Sequence, residues 1–210
     1  MIKNLQEELN RLGENNETPE AIQKKIAEAN QKLEESGEVD GLDVGDQAPD
    51  FKLKNHLGKE VSLVEELKKG PVVLVFYRGG WCPYCNLQLK AYQQALPEIK
   101  EKGAQLIAVS PQTPDNTLDQ KEKEELDFEL LSDQKGETAA DYKVLFEVPA
   151  AVKEVYQGFG LDIAEYNGLD KWILPVPAVY IINQEGKIDF VDLNVDYTTR
   201  TEPQTIIDNL

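Results

Sequence analysis

Residues 71–77 read PVVLVFY, an unbroken apolar run of strand length, and WCPYC follows at 81–85. A run with no polar alternation has no face to give to water, so it predicts a strand buried on both sides. Such a strand needs chain packed above and below it, which points to a sheet with helices on its faces, with this strand at its centre. A chain of 210 residues is long enough to build those layers as one domain.

The neighbouring segments supply the layers. After Pro83, the residues Cys85, Leu89, Tyr92, Leu96 and Ile99 recur at helical spacing, predicting an amphipathic helix that Pro97 kinks or breaks. AQLIAVS (104–110) and FELLSD (128–133) predict core strands, Thr113–Pro114 opens a helix between them, and GETAADYKVL (136–145) reads as a further helix. GDQAPDFKLKNHLGKEVSL predicts a hairpin turning at Asn55–Gly58, and Ser62 with Glu65 forms a capping-box signature. AVYIINQEGKIDFVDL predicts an antiparallel strand pair and EPQTIIDNL a closing helix. The expected fold class is α/β, with a central mixed, mostly parallel sheet flanked by helices.

Residues 1–37 predict two amphipathic helices, one striped by Leu5, Leu9 and Leu12, the other by Ile22, Ile26, Ala29 and Leu33. Thr18 as cap with Pro19 in the first turn opens the second, and Gly37 ends it. The expected organisation is a helical extension over 1–44 and an α/β domain over 45–210, with an insertion at about 146–176 that fits no simple unit. The insertion's aromatics Phe146, Tyr156, Phe159, Tyr166 and Trp172 suit local packing, a partner surface or the wall of a substrate pocket.

Lys and Arg number 22 against 39 Asp and Glu, a formal charge of -17 that repels nucleic-acid phosphates and anionic lipid. No nucleic-acid or membrane partner is expected, and solubility is the simplest use of that charge. The opening MIKNLQEELNRLGENNE lacks the apolar core of a signal peptide, and no stretch approaches the ~20 apolar residues of a membrane span. A cytoplasmic protein is expected. The chain has only two cysteines, too few for a secreted disulfide framework.

Cys82 falls at the N-cap of the helix leaving the central strand, with Pro83 at N1, Tyr84 at N2 and Cys85 at N3. Free backbone N–H groups and the helix dipole at that point both favour a thiolate at Cys82. Arg78, four residues earlier, adds to the effect if it turns toward the sulfur. Cys85 begins the apolar stripe, so it is expected to be more buried and less ionised. Cys82 then reads as the attacking thiol and Cys85 as the resolving one. Two buried inert thiols, a static disulfide or a zinc site are weaker readings, the last because His56 is the only histidine. No metal is expected, and no Gly-rich phosphate loop signals a cofactor.

The stretches GDQAPDFKL, PVVLVFYRGGWCPYC and PAVYIINQEGKI resemble the alkyl hydroperoxide reductase and thiol-specific antioxidant (AhpC/TSA) branch of the thioredoxin-fold superfamily, over roughly residues 45–210. The resemblance implies a thioredoxin-like fold and a peroxiredoxin-like peroxidase with Cys82 peroxidatic and Cys85 resolving. It further implies a hydroperoxide substrate and recycling by thioredoxin or a similar dithiol donor. Pro177 matches the cis-proline facing the active-site cysteine, and Arg200 is similar in placement to an arginine near the end of such chains. Trp81, Pro83, Tyr84, Pro177 and Arg200 are expected to frame the substrate pocket.

Departures from the pattern are Gly79, where the family carries Thr or Ser, and Pro177, where it carries Arg; Arg78 would substitute for part of their work. The Pro-Tyr dipeptide is similar to that of glutaredoxins and WC to that of thioredoxins, whereas Val75 replaces a buried Asp of thioredoxins. A thiol-disulfide oxidoreductase using the same two sulfurs, or a redox sensor without turnover, therefore stands as the alternative. A homodimer through the N-terminal helices is a further expectation.

Overall fold

The computed structural model describes residues 4–15 and 18–210. Met1–Lys3 and Asn16–Glu17, which the helical reading of the N-terminal segment also spans, lie outside the described residues. The elements run α1 (Leu5–Glu14), α2 (Glu20–Ser36), β1 (Lys52–Asn55), β2 (Glu60–Ser62), α3 (Leu63–Leu67), β3 (Val72–Phe76), α4 (Pro83–Glu101), β4 (Gln105–Ser110) and α5 (Pro114–Lys123). They continue β5 (Glu129–Ser132), α6 (Glu137–Asp141), β6 (Leu145–Glu147), α7 (Ala150–Gly158), α8 (Ile163–Asn167), β7 (Ile173–Pro175), β8 (Ala178–Ile182), β9 (Ile188–Leu193) and α9 (Pro203–Asp208). Among these, no helix is long and apolar enough to cross a membrane.

Seven strands form one sheet in the order β2-β1-β5-β4-β3-β8-β9. The strand β3 is buried along its whole length, as its unbroken apolar run demands. Its period-two alternation divides the core: Val73, Val75 and Tyr77 pack with α1, α4 and α9 on one face. Val72, Leu74 and Phe76 pack with α3, Tyr142 and Tyr180 on the other. The middle position belongs to β4, one strand over from the expected centre.

The sheet is mixed, but it is not mostly parallel. Only β3–β4 and β4–β5 pair in parallel, while β1–β2, β1–β5, β3–β8 and β8–β9 are antiparallel. The helical crossovers α4 and α5 enforce the parallel pairs. Two hairpins fill both flanks, and hairpins cannot be parallel.

Four local expectations are corrected. Pro97 does not end α4, which runs on to Glu101; its exposed ring stands on the solvent side, where the missing N–H bond matters least. The capping box at Ser62 does not form, because Asp50, fourteen residues upstream, accepts from the Val64 N–H at 3.2 Å in its place. The N-cap of α2 is Pro19 rather than Thr18. The 136–145 segment is helical only to Asp141, and its end becomes β6.

The stretch without a simple reading folds as β6, α7, α8 and β7, with β6 and β7 forming their own two-stranded sheet. Val148, Val152, Ile163, Trp172 and Leu174 make its small core. Trp172 and Phe146 pack there and do not line the cleft described below. The first helix is stitched to the body: Leu5 and Leu9 are buried in the main core. The Leu5 and Gln6 N–H groups at its start donate to the Glu202 carboxylate at 2.9 and 2.8 Å.

Candidate active site

The main chain leaves β3 at the edge of the sheet's C-terminal end and turns through Arg78–Trp81 into α4. Gly79 carries φ +149, and a Cβ there would lie 2.5 Å from the Trp81 indole nitrogen. The hydroxyl that the family carries at this position therefore has no room, which accounts for the glycine. Behind the turn, Gln112 accepts from the Gly80 N–H at 2.8 Å and donates to Gln120 at 2.8 Å. Gln120 donates to Asn86 at 2.7 Å, and Asn86 donates to the Gly80 carbonyl at 2.8 Å. Tyr77 donates to Gln120 at 2.9 Å, so this buried polar ring fixes the turn from within.

Cys82 is the N-cap of α4 and Pro83 its first residue, as the spacing predicts. The Cys82 sulfur accepts no hydrogen bond from the free N–H groups of the helix. Its partner is Cys85, with which it shares a hydrogen bond. Burial, then the bond to Cys85 and that residue's charge, push the Cys82 thiol well up, against the pull of Arg78 and Arg200. Burial also opposes ionisation of Cys85, but the bond from Cys82 and the Arg200 and Arg78 guanidiniums bring it well below the usual thiol range. The two thiols thus share one titration, which the paired guanidiniums favour.

Two buried arginines serve this pair. The Arg200 Nη2 donates to Cys85 Sγ at 3.6 Å and its Nη1 to the Thr199 carbonyl at 3.1 Å. Arg78 sits in a cage of aromatic rings, its guanidinium carbon 4.1 Å from the centre of Tyr197, 4.8 Å from Trp81 and 5.6 Å from Tyr156. It also donates to the Tyr156 hydroxyl. Burial opposes its charge, yet the field of Tyr156, the two sulfurs and Tyr197 holds its proton more firmly than usual. Burial keeps both phenols neutral, raising Tyr156 and pushing Tyr197 up to about 12. Neither arginine forms an ion pair with a carboxylate among the described residues. Two buried positive charges without counter-ions make a site for developing negative charge.

A cleft of about 740 Å³ opens over Cys82. Arg78, Trp81, Pro83 and Tyr84 line it together with Tyr156 and Tyr197. Pro177 and Arg200 do not: they line a separate small hollow, Arg200 because it faces the inner sulfur. The peptide before Pro177 is trans, contrary to the resemblance. The chain there continues extended from β7 into β8, with the Val176 N–H held by the Val144 carbonyl at 2.8 Å. Tyr197 has no signal of its own in the sequence, and Tyr156 was visible only as one of five aromatics in an unassigned segment.

A Cys-x-x-Cys pair opening the helix behind an interior strand of a mixed sheet defines a dithiol protein of the thioredoxin-like class. Residues 44–191 match the AhpC/TSA family. The chain belongs to that family. The peroxiredoxin bcp sequence of Helicobacter pylori strain J99 is 31% identical over 157 residues, 75% of this chain and 91% of its own. The chloroplastic peroxiredoxin Q of Suaeda salsa is 34% identical over 164 residues, 78% of this chain and 64% of its own. The crystal structure of peroxidoxin BcpB from Mycobacterium tuberculosis superposes with a TM-score of 0.63 at 22% identity, covering 80% of this chain and 96% of that one.

Proposed function

We propose that the chain is a thiol-dependent peroxidase in which Cys82 reduces a hydroperoxide and Cys85 resolves the product. The observation that carries the reading is the cleft-lining Cys82, hydrogen-bonded to a buried Cys85 between two arginines that lack carboxylate partners. Cys85 does not line the cleft, so only the outer sulfur meets substrate. As a peroxide settles against Arg78, the Cys82 thiol gives up its proton, the Arg78 and Arg200 charges favouring the anion. The Cys82 thiolate then attacks the distal oxygen: an S–O bond forms, the O–O bond breaks, and the leaving alkoxide takes up a proton to become the alcohol. Arg78 is placed to stabilise the charge that grows on that oxygen.

Loss of the proton from Cys85 then lets it attack the Cys82 sulfenic acid, closing a disulfide and releasing water. An external dithiol of thioredoxin type returns the pair to the reduced state, as family membership supports. A cytoplasmic location goes with this reading, since the dithiol needs a reducing supply.

The test is the second-order rate of Cys82 oxidation by hydrogen peroxide in reduced Cys85→Ser protein, followed by Trp81 fluorescence and confirmed by mass as one added oxygen. A rate decades above that of a free thiolate at the same pH supports the reading. A rate explained by the thiolate fraction alone transfers the site to disulfide exchange.

A further inference from the structure

The cleft is far larger than a two-oxygen substrate requires, and two helices supply much of its wall. One is α2, which lies wholly before the family-matched residues 44–191. The other is α7 and the loop after it, which fall within those residues. The helix α2 has no fully buried side chain, yet its stripe residue Ile26 faces the cleft together with Ala27. Across from them stand Val155, Phe159 and Leu161. Phe159 is 61% exposed, a large ring left in water at the cleft wall. A volume of about 740 Å³ falls in the range of small-molecule pockets.

The charges along the cleft are ordered. Arg78 is the only positive lining residue among those described, and it is buried beside the sulfur. The remaining charged lining residues are Glu34 and Asp196. No described lysine or further arginine lines the cleft to receive a carboxylate. A peroxide head that gains negative charge is welcome at Arg78, whereas an anionic tail meets carboxylates.

We infer that α2 and α7 form a tail pocket that selects uncharged organic hydroperoxides with a bulky apolar body over both hydrogen peroxide and carboxylate-bearing hydroperoxides. The inference rests on the peroxidase reading and names its substrate class. Burying an apolar tail between Ile26 and Phe159 contributes binding that hydrogen peroxide cannot draw on. The acidic lining lowers the local concentration of anionic competitors at low salt.

The experiment is stopped-flow oxidation of the reduced full chain by three probes: hydrogen peroxide, cumene hydroperoxide, and cumene hydroperoxide carrying a ring carboxylate. Cumene hydroperoxide is expected to react ~10-fold or more faster than hydrogen peroxide, the scale of a modest apolar pocket. It should also exceed its carboxylated form by about 3-fold or more at low salt, a gap that closes in high salt. Ala27→Phe narrows the cleft from the exposed side of α2 and should lower the cumene-to-hydrogen-peroxide rate ratio ~10-fold. Glu34→Lys should shift the ratio of neutral to carboxylated probe in favour of the carboxylate.

Equal rates for the neutral and carboxylated probes at low salt, or rate ratios unmoved by either variant while the melting temperature is held, overturn the tail pocket. Failure of all three probes to exceed free-thiolate rates overturns the peroxidase reading itself and the tail pocket with it. The two failures are thus told apart.

Discussion

Installing at position 79 the hydroxyl residue that the family carries there should damage this protein. The perturbation is Gly79→Ser, with Gly79→Ala as its control. At φ +149 a side chain is strained whatever the space around it, and that backbone cost is about 1–3 kcal/mol. The added Cβ would also sit 2.5 Å from the Trp81 Nε1 and 2.9 Å from its Cδ1, so the indole must turn away. Turning it gives up the Arg78 cation–π contact at 4.8 Å, worth roughly 0.5–1 kcal/mol. It also gives up the Tyr156 ring contact at 5.8 Å, a further ~0.5–1.5 kcal/mol.

The sum is about 2–5 kcal/mol, which for a chain of this size lowers the melting temperature by roughly 5–15 °C. The assay is thermal unfolding of the reduced proteins by circular dichroism, with Trp81 fluorescence as a local probe. Ser and Ala should fall together, because the Cβ is the cause. A Ser variant that melts within ~2 °C of the parent, or that reduces peroxide faster than it, would refute the steric account.

Arg78→Met should keep the ring packing but lower the rate of Cys82 oxidation by ~10²–10³-fold, the usual effect of losing one pre-placed charge, read by stopped-flow fluorescence. Gln112→Leu leaves the Gly80 N–H without its acceptor and removes the amide that donates to Tyr77, Thr117 and Gln120, and should cost about 2–3 kcal/mol in urea unfolding. Pro97→Ala restores a helical N–H at an exposed position inside α4 and should raise stability by about 1–3 kcal/mol; an unchanged midpoint would mean the helix is not strained there. Because the folded Cys85 value lies below the ordinary thiol value of about 8.5, its stabilisation is complete above that pH and is lost as pH falls through the folded value. The melting-temperature advantage of reduced parent over Cys85→Ser should therefore shrink on acidification, and an advantage that grows would contradict the lowering of Cys85 by the guanidiniums.

What the sequence disclosed, and what it hid, divides by the range of the interaction. The doubly buried strand 72–76 and the stripe from Cys85 to Ile99 are local patterns, each long enough to rise above its neighbours. The stretch from β6 to β7 uses strands of three residues and helices of five and nine, too short for a period to show. The capping of α3 by Asp50 and the two guanidiniums beside the dithiol depend on side chains brought together only by folding. Position could place Cys82 at the head of its helix, but it could not show that Arg200 would reach Cys85 from 115 residues away. The aromatic cage around Arg78 draws on residues 78, 81, 156 and 197, a set that no local motif joins.

The hydrogen bonds from Leu5 and Gln6 to Glu202 bear on how this protein is made. Both cysteines leave the ribosome more than a hundred residues before Arg200 exists, and α1 waits for Glu202, 197 residues beyond Leu5. Until the loop carrying Arg200 is drawn in beneath α1, the nascent Cys82–Cys85 pair lacks the guanidinium that lowers its second thiol. The growing chain thus holds only one of the two guanidiniums beside its thiols until the loop before α9 has been made.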